Sequence, residues 1–235
     1  IIFNISSSPW HLGKNKTRFE MLRSLALKTR RPVVYCNQAG GNDELIFDGG
    51  SLVLNAAGEL IAQGKLFADD FVVVEVATEQ SKVVERPFTP ALSPGGGEGG
   101  HTPGEEAPMT LDLPVDEELL YRALVLGLRD YLRKCGFRSA VLGLSGGIDS
   151  AVTACLAVAA LGAENVRGIS LPSQFSSQHS LDDARVLAER LGIRYDVIPI
   201  QPAFESAKES LKSVFAGRPE DTTEENIQAR LRGVT

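Results

Sequence analysis

Residues 87–110, PFTPALSPGGGEGGHTPGEEAPMT, hold five Pro and six Gly among 24 positions. Such a stretch cannot bury enough apolar surface to offset its ordering entropy. It predicts a flexible linker or surface loop with a separate folding unit on either side. The flanks have different rhythms, and the sequence shows no internal repeat. A total of 235 residues leaves room for two modest units. Hydrophobic residues at 43% and charged residues at 23% are ordinary for packed domains.

Before the linker the pattern is strand-rich after one helix. Asn15–Arg31 carries Phe19, Leu22, Leu25 and Ala26 at helical spacing. Val33–Cys36 reads as a buried strand, with Cys36 a core thiol of little reactivity. Glu44–Phe47 and Ser51–Leu54 flank Asp48-Gly49-Gly50, which spells a hairpin. Asn55–Gly58 gives a second turn before Glu59–Ala62, and Phe71–Val76 predicts a further strand.

After the linker, helix and strand alternate. Asp116–Cys135 reads as a helix with Asp116 as its N-cap and Gly136 just past its end. Then come strand Ser139–Leu144, helix Ile148–Leu161, strand Val166–Leu171, helix Ser180–Leu191 closed by Gly192, and strand Tyr195–Ile200. Helices Ala203–Phe215 and Glu224–Leu231 follow. This alternation predicts βαβ units, right-handed crossovers and a parallel sheet.

Several classes are excluded on composition. The formal charge is −6, which offers no clustered positive grip for nucleic acid. No apolar run approaches the ~18 residues of a membrane span. Cys36, Cys135 and Cys155 lack C-x-x-C spacing and fit thiols in a reducing cytosol. The chain starts at Ile1 inside a strand-like run and ends at Thr235 just after a helical one, so it is expected to be an internal piece of a longer protein.

The sharpest chemical signal is Ser145-Gly146-Gly147-Ile148-Asp149-Ser150, placed directly after Val141-Leu142-Gly143-Leu144. Glycines let backbone N–H groups approach a bulky anion, and the following helix adds its unpaired donors and positive dipole end. Ser145 and Ser150 add hydroxyls. Asp149 would repel phosphate unless a divalent cation lay between them, so it points to Mg²⁺ shared with phosphate oxygens. The loop is not GxxxxGK[ST], because it has no lysine and a shorter span. Read alone, it could also be a tight strand–helix turn capped by Ser145.

SGGIDS resembles the pyrophosphate loop of the ATP pyrophosphatase (N-type) family. Its members cleave ATP between the α and β phosphates and form adenylylated intermediates. They include NAD synthetase, GMP synthetase, asparagine synthetase and tRNA-thiolating enzymes. Two further segments, Ser170–Ala184 and Thr222-Thr223-Glu224-Glu225-Asn226-Ile227-Gln228-Ala229-Arg230-Leu231-Arg232-Gly233, resemble the NAD synthetases within it. Thr222 with Glu225 spells a capping box, which sets Asn226 and Arg230 one turn apart on one helix face. An amide and a guanidinium there suit a pyridine nucleotide; taken alone, the segment also reads as a solvated charged face. Before the linker, Asn4–Lys14, with SSSPWHLGK, and Tyr35–Ser51 resemble the nitrilase-like glutaminase domain fused to glutamine-dependent NAD synthetases.

The resemblance implies an α/β protein. Residues 1–86 would be the C-terminal part of a nitrilase-like α-β-β-α sandwich, 87–110 the linker, and 111–235 a truncated, doubly wound ATP pyrophosphatase domain. It implies ATP bound at Gly143, Leu144, Ser145, Gly146, Gly147, Ile148, Asp149 and Ser150, with Mg²⁺ at Asp149. It further implies deamido-NAD at Asn226 and Arg230, and glutamine at Ser8 and Lys14. The glutaminase Glu, Lys and Cys would lie before Ile1, leaving this piece inactive alone. A cytoplasmic homo-oligomer that amidates deamido-NAD follows, without nucleic acid or membrane partners. The rivals are another ATP pyrophosphatase amidotransferase, or a nitrilase-type amidase with a non-catalytic nucleotide-binding half.

Overall fold

The computed structural model describes residues 1–77, 109–174, 176–215 and 222–235. They form two compact units, Ile1–Ala123 and Leu124–Thr235. The expected linker falls outside the described residues except for Met109 and Thr110, and Met109 bridges to Leu60 of the first unit.

The first unit is built on a four-stranded sheet in the order β1 (Ile2–Ser6), β2 (Val33–Asn37), β5 (Leu52–Leu54), β6 (Leu60–Gln63). β1 and β2 are parallel, and the remaining pairings are antiparallel. Helix α1 (Lys14–Thr29) supplies Leu22 and Ala26, which pack with Val33, Tyr35, Leu52, Leu54 and Leu60. The other sheet face lacks such a cover among the described residues: Phe3 is 70% exposed and Ile5 87%.

That asymmetry corrects one expectation. Cys36 is exposed, because strand alternation turns Val33, Tyr35 and Asn37 toward α1 and sends Cys36 to the open face, paired in register with Ile5. A second correction concerns Asp48-Gly49-Gly50. β4 (Leu45–Asp48) pairs with β3 (Ala39–Asn42), not with β5, and forms a separate two-stranded ribbon. Gly49 and Gly50 both adopt positive φ, and their N–H groups donate to the carbonyls of Gln38 and Lys65, redirecting the chain instead of closing a hairpin. A third concerns Phe71–Val76, which forms no strand: β propensity alone does not make one where the segment enters no ladder with a neighbour.

The second unit follows the βαβ expectation closely. β7 (Ala140–Gly143), β8 (Val166–Ser170) and β9 (Arg194–Val197) form a parallel sheet in chain order. Helices α3 (Ile148–Leu161) and α4 (Gln178–Leu191) are the crossovers, and Ala154, Ala157, Ala184 and Ala188 pack with Leu144, Val166 and Ile193 in one core. Both crossovers therefore lie on one face, as right-handed connections require when a sheet grows in one direction. The doubly wound arrangement is not formed among the described residues. Val141 on the opposite face is 65% exposed, and beside it Arg167 bonds Asp196. Helices α5 (Gln201–Phe215) and α6 (Thr222–Val234) follow. Gly168 in β8 makes room for Leu144, whose side chain a Cβ there would strike.

Helix α2 (Asp116–Lys134) begins one residue earlier than the expected cap implies: the Val115 carbonyl accepts from Leu119 N–H, so Val115 stands at the cap position and Asp116 is the first helical residue. It ends as expected. Gly136 takes φ +80°, and the Phe137 N–H reaches back to the Leu132 carbonyl.

Candidate functional site

β7 delivers the chain to Leu144, which is buried and donates its N–H to the Ile169 carbonyl at 2.8 Å. Beyond it the chain turns at Gly146, with φ +82°, and enters α3 through Gly147. A Cβ on Gly146 would overlap the Ser180 backbone in the first turn of α4, so only glycine fits both the backbone angle and the contact. Hydroxyls lock the turn. Gly147 N–H donates to Ser145 Oγ at 3.2 Å, Ser145 N–H donates to Ser150 Oγ at 3.3 Å, and Ser150 Oγ–H donates to the Gly147 carbonyl at 2.9 Å. The first intrahelical bond of α3 is Ala151 N–H to the Gly147 carbonyl. The N–H groups of Ile148, Asp149 and Ser150 therefore stand at the open end of the helix without intrahelical acceptors.

A cavity of about 730 Å³ opens beside this turn. Its walls are Gly143–Ser145 at the end of β7, Ile169–Pro172 at the end of β8, Ser177 and Ser180 at the start of α4, and Arg232 near the end of α6. It lies outside the carboxyl ends of parallel strands, the usual ligand position in open α/β sheets. The start of α4 lines it, capped by Ser177, whose Oγ accepts from Ser180 N–H at 3.1 Å, and the turn into α3 adjoins it through Ser145. Such a surface suits an extended anion.

Of the predicted anion-loop residues, Gly143, Leu144 and Ser145 line the cavity, while Gly146 to Ser150 form the adjoining turn and first helical residues. Asp149 is exposed in that first turn. A single exposed carboxylate fits Mg²⁺, which takes one or two carboxylates and completes its shell with water and phosphate oxygens. Asn226 and Arg230 are both exposed on α6, and neither lines the cavity. Arg232 does. Its Nε–H donates to the Leu171 carbonyl at 3.2 Å and its Nη2 to Ser173 Oγ at 3.3 Å, joining α6 to the segment after β8. Sequence reasoning passed over Arg232. The available signal was its spacing of four from Gln228, which is buried and accepts from it at 3.5 Å.

In the first unit, Ser8 and Lys14 bracket a loop between β1 and α1. Ser8 N–H donates to Asn37 Oδ1 at 2.9 Å, and Lys14 Nζ donates to the Pro9 carbonyl. Beneath the loop lies a buried ion pair. Arg18 and Asp48 have side-chain exposures of 3% and 0%. Burial works to lower the Arg18 guanidinium, and the bonds and charge of Asp48 more than reverse it, so it lies above the ordinary arginine range. Arg18 also sits 5.3 Å over the Tyr35 ring, and burial pushes the Tyr35 phenol up. Sequence reading gave Asp48 only a turn role.

Comparison with known proteins assigns the second half. Residues 120–235 match the model of the NAD synthase family. Over nearly its whole length, the chain is similar to glutamine-dependent NAD(+) synthetases. It is 44% identical to that of Thermotoga maritima over 99% of this chain, and 40% identical to that of Synechocystis sp. over 99%. These alignments cover 42% and 38% of the relatives, so the chain spans about two-fifths of their length. Among solved structures, the glutamine-dependent NAD+ synthetase of Acinetobacter baumannii in complex with ADP superimposes with a TM-score of 0.77. That match covers 100% of this chain and 41% of the other, at 35% identity. The part that matches this family model therefore contains the Ser145–Ser150 turn, the cavity and Arg232, and the Ser8–Lys14 loop falls in the part before it.

Proposed function

We propose that this chain is part of a glutamine-dependent NAD synthetase, which amidates deamido-NAD to NAD with ATP and with ammonia released from glutamine. One observation carries the reading: the SGGIDS turn stands between β7 and α3 and adjoins a cavity lined by Ser145 and the start of α4. The carboxylate of deamido-NAD attacks the α-phosphate of ATP, forming a mixed anhydride and releasing pyrophosphate. Ammonia then adds to the activated carbonyl, and AMP leaves with the C–O bond's electrons.

The free N–H groups of Ile148, Asp149 and Ser150 and the dipole of α3 would hold the negative charge of the departing pyrophosphate. Asp149 would hold Mg²⁺, which when bound offsets charge on the same oxygens. Arg232 fixes the wall made by Leu171 and Ser173, and Asn226 and Arg230 on the same helix are the proposed contacts to deamido-NAD. An adenylate is hydrolysed by water, so the site must shield it while ammonia arrives.

The first half fits the ammonia source. A sheet with parallel β1–β2, covered by α1 on one face and bearing exposed Phe3 and Ile5 on the other, supports one half of an α-β-β-α sandwich. Ser8 and Lys14 then bind glutamine, a hydroxyl and an ammonium for its polar ends. The same reading keeps residues 1–86 as glutaminase, 87–110 as linker and 111–235 as synthetase, within a cytoplasmic homo-oligomer.

The test is amide formation by the full-length protein with ATP, Mg²⁺ and either glutamine or ammonia. Deamido-NAD should be converted, and xanthylate and aspartate should not. Turnover only on a non-pyridine acceptor would overturn the reading.

A further inference from the structure

We propose that Asp48 is a positioning residue for glutamine: one buried carboxylate fixes both ends and the middle of the Ser8–Lys14 loop. This rests on the reading of Ser8 and Lys14 as glutamine ligands. Asp48 Oδ1 accepts from Arg18 Nη2 at 2.9 Å and from Asn37 Nδ2 at 3.0 Å. Its Oδ2 accepts from Arg18 Nη1 at 2.8 Å and from Asn15 Nδ2 at 2.7 Å. Four donors saturate the two oxygens. No lone pair is left for a reaction, and Asp48 is fully buried, so its effect must pass through its partners.

Those partners lead to the loop. Asn37 spends its amide N–H on Asp48 and its Oδ1 on the Ser8 N–H at 2.9 Å, which fixes the start. Asn15, adjacent to Lys14 in α1, spends its N–H on Asp48 and accepts from Trp10 Nε1–H at 2.9 Å, which fixes the end and the middle. Trp10 also meets Phe67 edge-on at 5.3 Å, and the Phe67 N–H donates to the Asp48 carbonyl at 2.8 Å. Three points of the loop thus trace to residue 48. Both side amides are oriented by the carboxylate, since each must turn its N–H₂ toward Asp48 and its oxygen toward the loop. A neutral group at 48 would remove that preference, and the spacing of Ser8 from Lys14 would relax. A binding pair misplaced by about 1 Å can cost up to ~100-fold.

The experiment is steady-state release of glutamate from glutamine by the full-length protein, alongside ammonia-supported NAD formation. Asp48→Asn should raise KM for glutamine by about 10- to 100-fold, with ammonia-supported turnover unchanged within about twofold. Asn37→Ala keeps the Arg18–Asp48 pair and removes the Ser8 tether together with one of the four donors to Asp48, so it decides the question even where Asp48→Asn fails to fold; it should raise KM by about 10-fold. Trp10→Phe, which deletes one indole N–H, should raise it less. An unchanged KM in Asn37→Ala, or equal loss of the glutamine- and ammonia-supported reactions, would overturn the proposal. A wild type that hydrolyses glutamine but makes no NAD would remove the synthetase reading and leave the KM comparison decisive for Asp48. A wild type that does not hydrolyse glutamine would overturn the proposal and the glutaminase reading, and NAD formation from ammonia would then keep the synthetase reading standing.

Discussion

Asp48 and Asp149 occupy similar places in the sequence, each within two residues of a glycine pair at the end of a strand-like run. The structure puts them in opposite settings. Asp48 closes β4, is fully buried and accepts from four N–H donors. Asp149 lies in the first turn of α3 and faces water. A buried carboxylate is tolerable only when its acceptors are filled, and filling them ends its chemistry. An exposed one at a helix start keeps its lone pairs for a cation and a ligand. The same residue type beside the same glycines is a buried scaffold in one unit and, in the proposed function, an exposed cation ligand in the other.

That contrast can be broken most directly with alanine at each site. Asp48→Ala strands the Arg18 guanidinium and should cost about 3–5 kcal/mol of stability, read as a lowered melting temperature. Asp149→Ala should leave the melting temperature nearly unchanged, while amidation of deamido-NAD falls by about 100-fold or more with glutamine and ammonia alike. If the two variants behaved alike in either assay, the contrast would fail. Gly146→Ala forces a Cβ onto the Ser180 backbone at positive φ. We expect a loss of about 1–3 kcal/mol together with weaker ATP binding, measured by calorimetry.

The smallest effect belongs to Asp196 on the exposed sheet face. Its bond to Arg167, at 2.5 Å, holds its carboxyl below the ordinary value of 3.8. The pair's contribution is therefore complete above about pH 3.8 and is lost as pH falls through the lower folded value. Asp196→Asn should remove that acid-range dependence and change little at pH 7. A carboxyl titration followed by NMR with its midpoint at or above 3.8 would contradict the assignment.

Much of the second unit was legible because its signals are local. Gly136 and Gly192 end helices where left-handed residues are needed, and the strand–helix alternation follows directly from short periodic runs. The anion turn was equally visible, since its glycines, hydroxyls and helix start are contiguous. The first unit was harder because its determinants are distant in the chain. Nothing near Asp48 announces that Arg18 and Asn37 will reach it, and so Asp48-Gly49-Gly50 reads as a hairpin until its partners are seen. Cys36 misled for a related reason: alternation says which residues share a face, and only the third dimension says which face is covered. Arg232 was missed because its role is a bond to the Leu171 carbonyl, 61 positions away.

The contact between Gly146 and Ser180 bears on how this turn can be altered. Because the turn is shaped against the start of a neighbouring helix, it is not a portable cassette. Transplanting SGGIDS into another βαβ unit would carry over the hydroxyl bonds but not the surface that holds the backbone at positive φ. Lengthening it here would push directly on α4. Engineering of this pocket has to treat the turn and the first residues of α4 as one piece, and variation at either should be accompanied by change at the other.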